Sequence, residues 1–129
     1  MTIVLERVYG AAPRTAGHRV LVDRVWPRGV ARASLELDEW CRELAPSRAL
    51  RTWFAHDPGR WEAFRGRYLA ELDGHQAELT RLREMASRKG LVLLYGARDT
   101  AHNQAVVLRE ALEKGVPARR GGKAENRMD

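Results

Sequence analysis

The stretch RVLVDRVWPRG, residues 19–29, decides how the rest of the sequence is interpreted. It opens on an apolar, β-branched run and closes in a charged turn that contains Trp26, Pro27 and Gly29. A short run of this kind that stops at Pro and Gly is typical of a buried strand leaving a sheet. Ligands of open α/β sheets bind beyond the carboxyl ends of the strands, so we expect a site at this turn. Pro27 has a fixed φ that stiffens the turn, which favours Arg28 as a ligand contact.

A second stretch, LVLLYGARDTAHN at residues 91–103, repeats this design. Its first five residues have no polar alternation, which predicts a central parallel strand buried on both faces. A glycine turn follows, and then a helix that Asp99 or Thr100 is placed to cap. The free N–H groups at a helix start form an anion site, to which Arg98 adds a positive charge.

The other elements follow from spacing, caps and turn residues. Strands are predicted at 2–9, 19–25 and 91–95, with loops at 10–18 and 29–34. Ser34 and Ser47 are predicted N-caps, and Asp57-Pro58 predicts the start of a helix that breaks at Asp73-Gly74. The predicted helices lie at about 35–44, 48–54, 76–88 and 101–114, besides the one after Pro58.

This order of elements predicts an α/β fold: a small three-layer domain with a short, largely parallel sheet flanked by helices. Residues 1–115 are expected to form a single domain, and 116–129 a basic, mobile C-terminal tail. The chain has 129 residues, of which 44% are hydrophobic, enough for one core. There is no apolar run of membrane-spanning length and no signal-peptide pattern, so the expected location is the cytoplasm.

Composition also limits the chemistry. The single cysteine, Cys41, excludes a disulfide framework and sits on a predicted apolar helix face, where a thiol is unreactive. The four histidines lack metal-ligand spacing, so no metal is expected. The sequence contains no phosphate-binding or dinucleotide-binding glycine loop and no nucleophile-elbow motif, and no cofactor is predicted. The net charge of +6 permits an anionic partner.

If the two strand-end turns are neighbours, their polar side chains meet on one rim. Arginine suits bidentate recognition of phosphate or carboxylate, and histidine and aspartate suit proton transfer. The candidate catalytic residues are Asp23, His56 and His102. The candidate ligand-binding residues are Arg24, Trp26, Arg28, Tyr68, Tyr95, Arg98, Asp99 and Asn103.

Each candidate also has a structural interpretation. Asp99 suits a helix cap, and Arg24 suits a polar contact that closes the sheet edge. Trp26 suits packing more than stacking on a ligand, and His56 suits a turn beside the cap Asp57. Tyr68 shares a helical face with other aromatic residues, which indicates the core with its hydroxyl at the rim.

Three motifs together resemble the YeaO-like branch of the DUF488 family: DRVWPRG (23–29), ELAPSRALRTWFAHDPGRWEAFRGRY (43–68) and YGARDTAHN (95–103). The resemblance extends over nearly all of residues 3–113. It implies a compact α/β cytoplasmic domain and supplies no established reaction. More distant DUF488 relatives look as if they carry cysteines where Tyr95 and Asn103 stand here, which implies that any thiol chemistry of those relatives is absent from this chain.

The first functional hypothesis is binding or turnover of a small anionic ligand, phosphorylated or nucleotide-like, at the carboxyl ends of the strands. The alternatives are a nucleic-acid-binding module that uses the basic surface and tail, and a protein-interaction domain that uses the four tryptophans. The sequence leaves open whether the chain is an enzyme, and it does not indicate the oligomeric state.

Overall fold

A computed structural model describes residues 1–10 and 14–116. The strands are β1 (Ile3–Arg7), β2 (His18–Leu21), β3 (Glu39–Trp40) and β4 (Leu91–Tyr95). The α-helices are α1 (Arg32–Leu35), α2 (Arg48–Phe54), α3 (Trp61–Leu72), α4 (Gln76–Arg88) and α5 (Gln104–Lys114). Short 3₁₀ helices at Arg42–Leu44, Pro58–Arg60 and Asp73–His75 lie between them.

The four strands form one sheet in the order β1-β4-β2-β3, and every neighbouring pair is parallel. All five residues of β4 are buried, as the unbroken apolar run predicts. The register pairs Leu93 with Leu5 on one side and with Val20 on the other. The predicted α/β class, with a largely parallel sheet and a central strand at 91–95, is confirmed, whereas β3 was not predicted.

The two faces of the sheet are covered unequally. Val20, Leu91 and Leu93 belong to the larger core, which the helices α2 to α5 complete. Leu21 and Leu94 point to the opposite face and belong to a smaller cluster beneath α1 and the loop before it. Alternate side chains of a strand lie on opposite faces, so β2 and β4 contribute to both cores.

The predicted helix over 35–44 is wrong. The chain leaves α1 at Glu36, whose φ of 51° is left-handed, and then runs alongside β2 as the short strand β3. The amide of Asp38 donates to the Arg19 carbonyl (2.8 Å), and that of Cys41 donates to the Leu21 carbonyl (2.9 Å). Ser34 is not the N-cap, because its hydroxyl donates back to the Ala31 carbonyl. Long-range strand pairing has overridden the helical spacing of the apolar residues.

Other boundaries also differ from the prediction. Strand β1 is Ile3–Arg7 rather than 2–9. Strand β2 ends at Leu21 rather than at 25, although the Val22 amide still donates to the Leu94 carbonyl (3.0 Å). Helix α5 begins at Gln104 rather than at 101, because Asn103 is its N-cap.

The predicted bounds of α2, α4 and β4 are confirmed, as are the Ser47 cap and the break after α3. The predicted tail, 116–129, lies outside the described residues apart from Val116. Among the described residues, no helix has the length and apolar character needed to cross a membrane.

Candidate functional site

A cleft of about 220 Å³ lies beyond the carboxyl ends of β2 and β4. Its walls come from the turns after both strands, from α2 and the turn that follows it, and from the start of α5. The lining residues are Tyr9, Asp23, Arg24, Val25, Pro27, Pro46, Arg51, Phe54, His56, Phe64, Gly96, Ala97, Asn103 and Gln104. The cleft thus stands where a parallel sheet places ligands.

Asp23 is a half-buried charged group of this cleft. One carboxylate oxygen accepts the Gly96 amide (3.0 Å), and the other accepts the side-chain amide of Gln104. Burial raises the pKa of Asp23 to about 6, although both hydrogen bonds and the nearby Arg51 guanidinium act to lower it. The carboxyl group therefore changes its charge close to neutral pH.

Gly96 is required at this point by space. A Cβ on Gly96 would lie 2.8 Å from the Asp23 carboxylate, 3.6 Å from the Tyr9 ring and 3.8 Å from Pro27. Real Cβ atoms do not approach an oxygen this closely. The missing side chain is what allows the Asp23 carboxylate to reach the Gly96 amide.

The two arginines of the cleft have different roles. Arg24 donates from Nε to the Pro46 carbonyl (2.9 Å) and from Nη2 to the Ala45 carbonyl (3.3 Å), so it holds the segment that leads into α2. Arg51 is exposed, and its guanidinium has no hydrogen-bond or carboxylate partner among residues 1–10 and 14–116. Arg51 is therefore the cleft cation with the most donors free for a ligand.

His56 lies at the edge of the cleft on a backbone of unusual conformation. Ala55 and His56 are consecutive non-glycine residues with left-handed φ values of 49° and 56°. The His56 ring lies 6.3 Å from the Phe54 ring. Such conformations cost roughly 1 kcal/mol or more per residue and cluster at functional sites. The turn aims an exposed imidazole at the cleft at the expense of stability.

Asn103 joins the cleft to the start of α5. Its side-chain oxygen accepts the amides of Ala105 (2.9 Å) and Val106 (3.2 Å) as the N-cap of the helix. Its side-chain nitrogen donates to the Asp99 carbonyl (2.8 Å). Both polar atoms of the side chain are thus hydrogen-bonded to the backbone. Asn103 therefore shapes the cleft wall and is not placed to bind a ligand through its amide group.

Asp99 and His102 form a separate pair outside the cleft lining. One Asp99 oxygen accepts the amides of Ala101 and His102, and the other lies 2.9 Å from Nδ1 of His102. The Ala101 amide, followed by the His102 side chain, lowers the pKa of Asp99. The His102 ring packs edge-to-face on Trp61, with centroids 5.1 Å apart. The prediction that Asp99 caps the helix is wrong, because Asn103 is the N-cap of α5 and Asp99 instead holds the turn before it.

Five other predicted site residues also lie outside the lining. The Trp26 indole donates to the Val30 carbonyl (2.7 Å) and packs edge-to-face on Trp40. The Tyr68 hydroxyl, fully buried, donates to the Leu44 carbonyl, and this burial raises its pKa. The remaining three are Tyr95, which is buried in the larger core, and Arg28 and Arg98, which are exposed.

The sequence analysis did not identify four residues that line the cleft: Tyr9, Arg51, Gly96 and Gln104. Gln104 directly follows a candidate stretch, and Gly96 lies within one, so their positions carried a signal. Tyr9 and Arg51 carried none, because they reach the cleft only through the packing of β1 and α2. The Tyr9 hydroxyl donates to the Arg28 carbonyl (2.8 Å).

Neither metal nor thiol chemistry is indicated for the described part of the chain. No group of three His, Cys, Asp or Glu side chains there is arranged to hold a metal ion. Cys41 lies away from the cleft, and burial, with nearby carboxylates, raises the pKa of its thiol to about 12. A thiol with this pKa stays protonated and unreactive.

Comparisons with known proteins place the chain among bacterial relatives. A family model described as "Inactive DUF488-N3 subclade" matches residues 2–127. The uncharacterised protein YeaO of Escherichia coli K12 is 45% identical over 112 residues, which is 87% of this chain and 97% of that protein. The uncharacterised protein Rv3073c of Mycobacterium tuberculosis H37Rv is 38% identical over 108 residues, which is 84% of this chain and 91% of that protein. No solved structure matches the chain significantly.

Proposed function

We propose that this chain, which belongs to the DUF488 family and matches its subclade described as inactive, binds a small phosphorylated or nucleotide-like ligand without converting it. The observation that carries the proposal is the pairing, in one cleft, of a half-buried carboxyl group with an exposed guanidinium. These groups are Asp23 and Arg51. A ligand with a hydrogen-bonding end and an anionic end matches both.

The floor of the cleft selects a polar, uncharged group. Asp23 is already held by Gly96 and Gln104, so its direction is fixed before a ligand enters. A hydroxyl or amide N–H of the ligand can donate to the carboxylate, and the protonated acid can donate in return. The stacked rings of Phe54 and Phe64, whose centroids lie 4.2 Å apart, supply one apolar wall. At about 220 Å³ the cleft is smaller than the roughly 300–1,000 Å³ of drug-sized sites, so it suits one ring or one short chain.

The mouth of the cleft selects an anion. Arg51 and His56 are both exposed there, and an arginine fork matches the geometry of phosphate and carboxylate. The Asp23 carboxyl group lies deeper, and above pH 6 it is mostly ionised, so it repels an anion that would reach the floor. This arrangement favours a phosphate at the entrance over a phosphate at the floor.

The make-up of the cleft also supports binding over turnover. Its described lining contains no cysteine, serine, threonine or lysine nucleophile. The Tyr9 hydroxyl is engaged with a backbone carbonyl, and Asn103 is engaged as a helix cap. Asn103 also stands where the resemblance places a cysteine of more distant relatives. The description of the matching subclade as inactive agrees with this composition.

The proposal is tested by isothermal titration of the whole chain with inorganic phosphate, ribose 5-phosphate and the four ribonucleoside 5′-monophosphates. We expect at least one of the organic phosphates to bind more tightly than phosphate alone. Arg51→Ala is expected to weaken that binding at least tenfold, since it removes the anion contact. Arg88→Ala is the matched control, because Arg88 is an exposed helix arginine at the end of α4 and outside the cleft. Absence of heat with every ligand, or equal losses in both variants, would overturn the proposal.

A further inference from the structure

We propose that the outer surface of α2, together with the 3₁₀ helix Pro58–Arg60 and the adjoining surface of α3, binds single-stranded nucleic acid through its phosphates. We call this surface the arginine band; it consists of Arg48, Arg51, Trp53, Arg60 and Arg67. It goes beyond the small-ligand cleft, which it borders at Arg51.

The band follows from how α2 packs. Leu50 and Phe54 are buried, and they direct one side of the helix into the core. At 3.6 residues per turn, Arg51 and Trp53 flank that buried side in opposite directions. Arg48 lies on the exposed side between them. The exposed half of α2 therefore runs from the cleft, across Arg48, to Trp53, and it carries no acidic residue.

Trp53 is the aromatic centre at the far end of the band. The guanidinium carbons of Arg67 and Arg60 lie 4.1 Å and 5.2 Å from its ring centroid. Arg60 is further fixed by donating to the Trp53 carbonyl. Bases of single strands stack on guanidinium planes as well as on aromatic rings, and the two guanidinium groups held over the Trp53 indole offer such planes.

The positive charge of the band is largely uncompensated. Arg48, Arg51 and Arg67 have no carboxylate within ion-pair distance among the described residues, and Arg60 has only the exposed Asp57 at 3.7 Å. Elsewhere the pattern differs: Arg65 pairs with Glu110, and Arg81 pairs with Glu39 and Glu78. A row of arginines with one carboxylate partner among them, two of them held over an indole ring, fits a flexible chain of phosphates and bases better than an acidic protein surface.

The size of the band sets the length of the partner. A helix with its side chains is about 10 Å across, which a single strand crosses with two or three phosphates. A short oligonucleotide of about ten residues therefore covers the band with excess on both sides. Binding through so few phosphates is weak at physiological salt and strengthens as salt is lowered.

The test is fluorescence anisotropy of a labelled ten-residue oligo(dT) with the whole chain at 50 mM and 200 mM salt. We expect Arg48→Ala/Arg67→Ala to weaken binding about tenfold at 50 mM. Because each phosphate contact on a single strand contributes about 0.7 to the slope of log K against log salt, the slope should fall by about 1.4. The matched control is Arg88→Ala/Lys89→Ala, which removes two exposed charges at the other end of the molecule.

Measuring each variant with the ligand of the other site distinguishes the cleft from the band. The Arg48→Ala/Arg67→Ala variant should bind the small organic phosphate as the wild type does, and Asp23→Asn should bind oligo(dT) within twofold of the wild type. Trp53→Phe should lose the tryptophan quenching that accompanies oligonucleotide binding. No oligonucleotide binding at 50 mM salt, equal losses in the band and control variants, or equally tight binding of poly-glutamate would each overturn the band as a nucleic-acid surface.

Discussion

The Gly96 amide donates a 3.0 Å hydrogen bond to the Asp23 carboxylate, and so joins two turns that are 73 residues apart in the chain. This contact holds the floor of the cleft in place, because the Asp23 side chain occupies the space that a Cβ at Gly96 would need. The polar floor therefore depends on one glycine that is not needed for a left-handed turn.

Substitution of Gly96 by alanine should displace the Asp23 carboxylate. We expect Gly96→Ala to destabilise the fold by about 1–3 kcal/mol, since a buried carboxylate loses a donor and meets a methyl group. It should also remove small-ligand binding. Urea unfolding and titration calorimetry measure the two effects.

The control for this substitution is Gly66→Ala. Gly66 lies exposed in α3, and a Cβ added there would meet no heavy atom within 4 Å, so alanine should stabilise the helix by roughly 0.5–1 kcal/mol. If both alanine variants gain stability, the space argument at Gly96 is wrong.

Asp23→Asn should change the pH dependence of stability. The folded-state pKa of Asp23, about 6, lies above the unfolded value of 3.8, so the folded state holds the proton more tightly. The stability that this group contributes is complete below pH 3.8 and is lost as pH rises through 6. Asparagine does not titrate. We therefore expect the variant to gain stability over the wild type between pH 4 and pH 8, by about 2–3 kcal/mol.

Urea unfolding of both proteins at half-unit pH steps measures this difference. Other titrating groups are shared, so they cancel in the comparison. A constant difference between the two proteins across this range would show that the Asp23 carboxyl group has an ordinary pKa.

The left-handed backbone conformation of Ala55 and His56, at the edge of the cleft, should lower the stability of the fold. Ala55→Gly should stabilise the chain by up to about 1 kcal/mol, because glycine adopts the φ of 49° without steric cost. Ligand binding should be unchanged, since the Ala55 side chain does not line the cleft. Ala63→Gly, at an exposed position within α3, should instead destabilise by about 1 kcal/mol. Thermal unfolding compares them, and a loss of stability in both would contradict the strain at Ala55.

Asn103→Ala should weaken the start of α5. The side chain accepts two helix amides, and losing such a cap costs about 1–2 kcal/mol. Asn103→Asp keeps the acceptor oxygens and should recover most of that stability. Urea midpoints of the two variants decide the matter; equal losses would mean that the cap oxygen contributes little.

The fold was predictable where it depends on local signals. The apolar run 91–95, the Ser47 cap and the helix over 76–88 each contain their own boundary residues. The segment 35–44 was not predictable in this way, because Asp38 and Cys41 bond to the backbone of β2, and the spacing of apolar residues does not report such partners.

The residues of the candidate site were likewise predictable only where a local sequence signal marks them. The rule that sites follow strand ends led to Asp23, Arg24 and Asn103, which line the cleft together with His56. Asp99 and His102 come from the same turn but bond to each other and to the local backbone, because a side chain close to a helix start finds free amides there first. Arg51 and Tyr9 reach the cleft through the packing of α2 and β1, which the sequence does not encode as a motif.

The central claim is that the cleft binds a small organic phosphate between Asp23 and Arg51. A ¹⁵N–¹H correlation titration of the wild-type chain with the ribonucleoside 5′-monophosphates tests it most directly. We predict saturable shifts that concentrate at the amides of Gly96, Gln104 and His56 and that disappear in Arg51→Ala. Shifts confined to other surfaces, or no saturable shift with any of the four, would contradict it.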